Sequence, residues 1–202
     1  MPPPEKYTAI SNRPRYPTAH RILIRIDSAN QQSLKNVNSR MSQHVGISFC
    51  KYQIRFADCD PFGHLNNARY LDYFMNARED HLRESYQFDI PTWMDKTGFA
   101  WVVKEHKIQY LRPAKVNEWV QISSAIIYQT THDNIVEFGM WDESGKKLKC
   151  LMWSNFQYID MKRMRPAPYH QELLDKFMPL VVEEQMPDYA KRAVEMQAKF
   201  RR

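Results

Sequence analysis

The stretch from Asn66 to Tyr86 constrains the fold more than any other part of the chain. Its polar positions, Arg69, Asp72, Asn76, Glu79, Asp80 and Arg83, recur mostly in steps of three and four and make one solvated stripe. Tyr70, Leu71, Tyr73, Phe74, Met75, Ala77 and Leu82 fill the remaining girth. A helix that is apolar over most of its circumference has to be buried on most sides. The spacing therefore predicts a long, largely enclosed helix over 66–86. Asn66 stands where an N-cap belongs, its side-chain oxygen free to accept from amides of the first turn.

The flanking segments supply what can enclose it. Cys50, Tyr52, Ile54 and Phe56 alternate with Lys51, Gln53 and Arg55, the period of a half-buried strand. After the helix, Pro91-Thr-Trp-Met94 reads as a connector. Further strands are expected near 99–110, 117–129, 133–141 and 147–160. Arg112-Pro113-Ala114 separates the first two, and Asp142-Glu-Ser-Gly145 turns the last two into a hairpin. Pro166 and Pro168 close the sheet, 169–183 reads as a short helix, and 187–202 as an amphipathic peripheral one. One strand, one buried helix and a run of antiparallel strands make an α+β fold, a sheet wrapped around a single helix.

Three regions are expected: a basic, Pro-rich arm over 1–45, a folded domain over 46–168 and a helical tail over 169–202. Residues 1–40 hold seven bases and two acids, a net +5 of the chain's +6, so the basic balance describes the arm and not the body. Such an arm can attract nucleic acid or anionic lipid, yet net charge says little about a site. The expectation is plain solvated chain with no nucleic-acid partner, and Met41 offers an alternative start.

The composition also excludes several chemistries. The five glycines, at 46, 63, 98, 139 and 145, fit neither a dinucleotide-binding G-x-G-x-x-G nor a P-loop, and no G-x-S-x-G occurs. Cys50, Cys59 and Cys150 are odd in number and include no C-x-x-C, so neither a disulfide framework nor a zinc site is expected. A reducing, cytoplasmic setting follows as the default. No apolar run reaches the roughly 18 residues of a membrane helix, and Met1-Pro-Pro-Pro-Glu5 lacks the start of a secretory leader.

The chemistry concentrates in Arg55-Phe-Ala-Asp-Cys-Asp-Pro-Phe-Gly-His-Leu-Asn-Asn-Ala-Arg-Tyr70. A carboxylate, Asp60, precedes a Pro-x-Gly turn into a helix start. The free amides and positive dipole end of such a start polarise a carbonyl placed against them. This segment resembles the signature of hot dog fold thioesterases of the 4-hydroxybenzoyl-CoA thioesterase class. Its acid-x-Asp-x-x-Gly is followed by His-x-Asn-Asn-x-x-Tyr, as in the branch that includes acyl-ACP thioesterases. Tyr110-Leu-Arg-Pro-Ala114 resembles the family's step between strands, and Asn117-Glu118 stands where many members have Gly-Asp. The resemblance covers about 46–165. It implies a hot dog fold and hydrolysis of an acyl-CoA or acyl-ACP thioester. It also implies a homodimer or dimer-based tetramer with sites between subunits, and neither metal nor other cofactor.

By that resemblance Asp60 takes the catalytic acid's place, as nucleophile or as general base. The Asn67 N–H falls where the carbonyl-polarising amide lies, and His64 matches the branch's histidine. That branch has Asn two residues after the acid, where this chain has Phe62, so His64 is expected to orient water or substrate. Asn66, Tyr70, Tyr73 and Phe74 are the expected substrate-binding residues. Plainer roles stand beside these: Asp60 as turn former, His64 as a structural histidine, Asn66 and Asn67 as caps. Asp58 reads as a strand-end partner, Cys59 as core, and Glu79 as a solvent or dimer contact. A hot dog dehydratase would want His-Phe-Pro, and His64 is followed by Leu65-Asn66. A non-catalytic acyl-thioester binder is the other alternative.

Overall fold

The computed structural model describes residues 46–183 and 185–199. A short alternating stretch at Arg21–Ile26 that reads in sequence as an edge strand lies outside them, as does the rest of the arm. The first strand, β1, runs over Ile47–Gln53, stopping short of the alternation, which continues to Phe56. There the backbone leaves the sheet and tightens into a 3-10 turn at Phe56–Asp58. A second 3-10 turn at Asn67–Arg69 leads into the long helix α1, Tyr70–Tyr86. Asn66 caps this start as expected, its side chain accepting from Ala68 N at 3.0 Å.

Pro91-Thr-Trp-Met94 is not a connector. It belongs to a helix, α2, over Ile90–Thr97. The bracketing signals are all in the sequence. Asp89 caps through Thr92 N (2.9 Å) and Thr92 Oγ1 (2.6 Å), Pro91 sits in the first turn where no amide is needed, and Gly98 ends the helix. The remaining strands are β2 (Phe99–Tyr110), β3 (Trp119–Gln129), β4 (Asp133–Asp142), β5 (Leu148–Asp160) and the short β6 (Arg165–Pro166). Two further helices follow, α3 (Gln171–Phe177) and α4 (Tyr189–Lys199).

All pairings are antiparallel, in the order β1-β3-β4-β5-β2, with β6 on the end of β5. Register shifts in three of the pairings, between Val103 and Glu105, Ile126 and Tyr128, and Met140 and Trp141, mark irregularities of the kind that bend a sheet. One face holds α1: Tyr70, Tyr73, Phe74 and Ala77 pack with Ile122, Phe138, Met140 and Met152. The other face carries α4, whose Ala193 and Met196 join Trp141, Leu151 and Trp153. Beneath Met196, Gly139 has no room for a side chain; a Cβ there would meet Trp141 Nε1 at 2.7 Å and Ser123 Oγ at 2.9 Å. Phe88, Trp93, Tyr158, Tyr169 and Leu173 form a third apolar cluster at the far end of α1.

Candidate active site

The loop from Cys59 to Asn66 is closed on itself. Asp60 N donates to His64 O at 2.8 Å and Gly63 N donates to Asp60 O at 3.0 Å. Gly63 turns with φ +74°, a conformation that favours glycine. The Asp60 side chain joins this closure through one oxygen only. Its Oδ1 accepts from Phe62 N (2.9 Å) and His64 N (3.1 Å), while Oδ2 accepts from no described residue. Asp60 is thus a turn former and also presents an unengaged carboxylate oxygen. These two roles are compatible because they use different atoms.

The second sequence motif fastens the first. Leu65 N donates to Ala114 O at 2.8 Å and Val116 N to Gly63 O at 2.9 Å. The Ala114 amide donates to Tyr70 Oη at 3.2 Å. Asn117, at the position where many of the family carry glycine, has φ +62°, which asparagine tolerates better than most residues. Glu118 accepts from Lys115 N at 2.8 Å and pairs with Lys149 Nζ at 2.8 Å, holding the return of the chain.

The loop runs into the helix start, where Asn66 N donates to Asp58 O at 2.9 Å. Asn67 opens the 3-10 turn, so its N–H has no intrahelical acceptor, and no described residue accepts from it. Its carbonyl, by contrast, accepts from Tyr110 Oη at 2.9 Å. Tyr110 appears in the sequence reading only as part of a motif; here it anchors the Asn67–Ala68 peptide, the unit next to the one that carries the Asn67 amide. Its ring stands edge-on to Tyr70, centroids 5.1 Å apart.

The other expected residues divide by burial. His64 brings its backbone to Asp60, while its imidazole hydrogen-bonds to no described residue, so no Asp60–His64 side-chain pair exists in this chain. Tyr73 accepts from Arg55 N (3.0 Å) and donates to Asp58 Oδ2 (2.9 Å), which makes Asp58 a strand-end partner. Tyr70 and Tyr73 are buried braces of the loop, and Phe74 is 0% exposed against Phe138. Within one protomer Phe74 is core and reaches no open surface. Cys59 is half-buried, and desolvation, then the charges of Asp58 and Asp60, push its thiol up, away from a nucleophilic thiolate. Among the described residues no group of His, Cys, Asp and Glu is arranged to hold a metal ion.

The Thioesterase-like superfamily matches residues 54–177, the motif loop and the sheet together. The chain belongs to this superfamily. It is 29% identical over 129 residues to the long-chain acyl-CoA thioesterase FadM of Escherichia coli, covering 64% of this chain and 96% of that protein. The crystal structure of YbaW from Escherichia coli superposes with a TM-score of 0.58 at 27% identity, over 69% of this chain and 100% of that one. Slr0204, a 1,4-dihydroxy-2-naphthoyl-CoA thioesterase from Synechocystis, reaches a TM-score of 0.61 at 17% identity over 66% of this chain and 96% of that one, a likeness of fold. The hot dog architecture expected from the motif is the architecture found.

Proposed function

We propose that the chain hydrolyses acyl-CoA thioesters, with Asp60 as the acid that acts and the Asn67 amide as the carbonyl's donor. The observation that carries this is the division of labour within Asp60: one oxygen fixed by two backbone amides, the other unengaged, in a loop that ends at an unpaired helix N–H. With the thioester carbonyl on that amide, charge developing on oxygen meets a fixed donor. The free Oδ2 either takes a proton from water as it attacks or attacks the carbonyl itself. Both routes consume one water, break the C–S bond and release a carboxylic acid and the thiol. Tyr110, through the Asn67 carbonyl, anchors the peptide that follows the donor.

The surface around Asp60 supports assembly from two copies. Phe56 is 83% and Phe62 84% exposed, on either side of the acid, and an apolar surface of this kind fits a partner. The acyl chain would then run between subunits, past His64. FadM is named for acyl-CoA, and an acyl-carrier protein would present the same thioester. Three free cysteines suit a reducing compartment, and no helix among the described residues is long and apolar enough to cross a membrane.

The test is Asp60→Asn against acyl-CoAs from acetyl to palmitoyl, with a thiol reagent detecting released CoA. The expected loss in kcat/KM is at least about 10²-fold, the low end for removing a general base, with the circular dichroism spectrum unchanged. Retained turnover in that variant removes Asp60 from the mechanism. His64→Ala is expected to lose less.

A further inference from the structure

Positive charge gathers at the end of the sheet that carries the Asp60 loop. Segments 111–118 and 142–149 hold five bases and three acids, a net +2, where residues 41–202 together are only +1. Each of the three acids already has a partner. Glu118 accepts from Lys115 N at 2.8 Å and pairs with Lys149 Nζ at 2.8 Å. Asp142 accepts from the amides of Lys146 (2.8 Å) and Lys147 (2.9 Å) and from Ser144 Oγ (2.9 Å). Partial burial works against its ionisation, yet these donors and the Lys147 charge hold its carboxyl below the usual range. Glu143 lies 3.7 Å from Lys51 Nζ. Lys115, Lys146 and Lys147 are exposed and form no ion pair with any described residue.

Two of these free lysines face one space. An open cleft of ≈ 510 Å³ is lined by Lys115, Lys147 and Lys149, with Glu118 and Asp142 on its wall. It shares that wall with the reactive loop, since Leu65 N donates to Ala114 O, Val116 N donates to Gly63 O, and Lys115 bridges antiparallel to His64. From the other side Lys149, only 8% exposed, donates through Nζ to Pro113 O at 2.9 Å. The backbone that carries Lys115 is therefore fixed from both sides. Adjacent extended chains lie about 5 Å apart, so the cleft opens one chain-width from the loop that holds Asp60. A single exposed lysine recognises little, because its contacts are screened. Several on one concave wall, where the local acids are already engaged, act together on a multiply charged anion.

We propose that this cleft takes the phosphates at the nucleotide end of CoA, with Lys115 and Lys147 setting the preference for CoA over phosphate-free thiols. The proposal rests on the reading of the chain as an acyl-CoA hydrolase and names the part of the substrate that this surface recognises. A diphosphate and a phosphate monoester together bring roughly −4 at neutral pH, which suits a wall of lysines. The pantetheine arm between the phosphates and the sulfur is about as long as five extended residues, roughly 16 Å. That length carries the phosphates into the cleft while the thioester lies at the loop. A carrier protein fits less well, because it brings one phosphodiester held against its own surface.

Calorimetric titration of the full chain with CoA and with pantetheine reads the cleft without requiring hydrolysis. CoA is expected to bind at least about tenfold more tightly than pantetheine, with the advantage shrinking as salt is raised. Lys115→Gln combined with Lys147→Gln is expected to weaken CoA about tenfold, the order of two phosphate contacts at an exposed site, and to leave pantetheine within about twofold. The ratio of kcat/KM for octanoyl-CoA over octanoyl-pantetheine should fall by the same factor. Lys162→Gln combined with Lys176→Gln removes the same charge away from the cleft and is expected to leave CoA within about twofold. Equal binding of CoA and pantetheine, unchanged CoA affinity in the cleft variant, or an equal loss in the distant one overturns the proposal. A cleft variant that loses turnover of an acyl-carrier protein but not of acyl-CoA also overturns it, by assigning the lysines to a protein partner. A chain that binds CoA as expected yet cleaves no thioester supports the cleft and refutes the hydrolytic reading.

Discussion

Asp60 uses one carboxylate oxygen to hold its own loop shut and leaves the other free. This much is legible in the residues, because Asp before Pro-x-Gly is both a turn signal and a carboxylate aimed at a helix start. The helper residues are not legible in the same way. Tyr110 reaches Asn67 from β2, 43 positions away, and only the folded sheet sets that distance. His81 is likewise invisible to a reading by polarity, which would put an ionisable ring outside; it is 3% exposed where α1 meets Ser124 of β3. Burial depresses its pKa to about 4. Unfolded, the ring titrates near about 6.5. Above both values it is neutral in either state and stability does not depend on it. As pH falls below about 6.5 the unfolded chain takes up the proton first, so stability is lost down to about pH 4, roughly 3 kcal/mol in all. Urea unfolding of wild type and His81→Gln at pH 7.5 and 4.5 measures this. The wild type is expected to lose more stability between the two; parallel losses would show that His81 is not the titrating group.

At the scale of elements, the four long strands after α1 fall within two residues of the bounds read from the chain, because one face of each must meet α1, whereas β1 lies three residues earlier than its alternation. The tail is another matter. Amphipathy announces a helix near 189–199 without saying what it covers, and it covers the outer face of the sheet. Arg192 is the pin. It clasps Glu137 of β4 with Nε–Oε2 at 2.6 Å and Nη2–Oε1 at 2.9 Å, while Trp153 Nε1 donates to the same carboxylate at 2.9 Å. Glu183 adds a contact at 2.7 Å. Removing one partner of a buried pair leaves an unpaired charge, typically about 3–5 kcal/mol. Arg192→Met is therefore expected to destabilise the chain by that order in urea unfolding. Adding Glu137→Gln should restore part of the loss, since the neutral amide oxygen still accepts from Trp153. A single variant that loses less than about 1 kcal/mol would mean that α4 is held by its apolar face alone.

At the scale of the molecule, the curled sheet around one helix follows from α1 being too apolar to face water, and that was readable at once. What meets the sheet's edges was not, because an edge is defined by the absence of a neighbour. Among the described residues the sheet order leaves β1 and β2 each paired on one side only. The β2 edge is twelve residues long and carries Val102 and Val103, 39% and 45% exposed. A long open edge with apolar side chains invites another strand. Joining two copies along β2 would remove that liability and also extend the sheet behind each Asp60 loop, where Phe56 and Phe62 stand exposed. Val103→Lys places a charge on this edge without touching the loop. Light scattering after size exclusion is expected to show wild type as a dimer, or a multiple of one, and Val103→Lys shifted toward monomer, with kcat/KM for acyl-CoA falling at least about tenfold. A wild type that is monomeric at all concentrations yet hydrolyses acyl-CoA would mean that one copy builds the whole site, and Phe56 and Phe62 would then have to close over the substrate themselves.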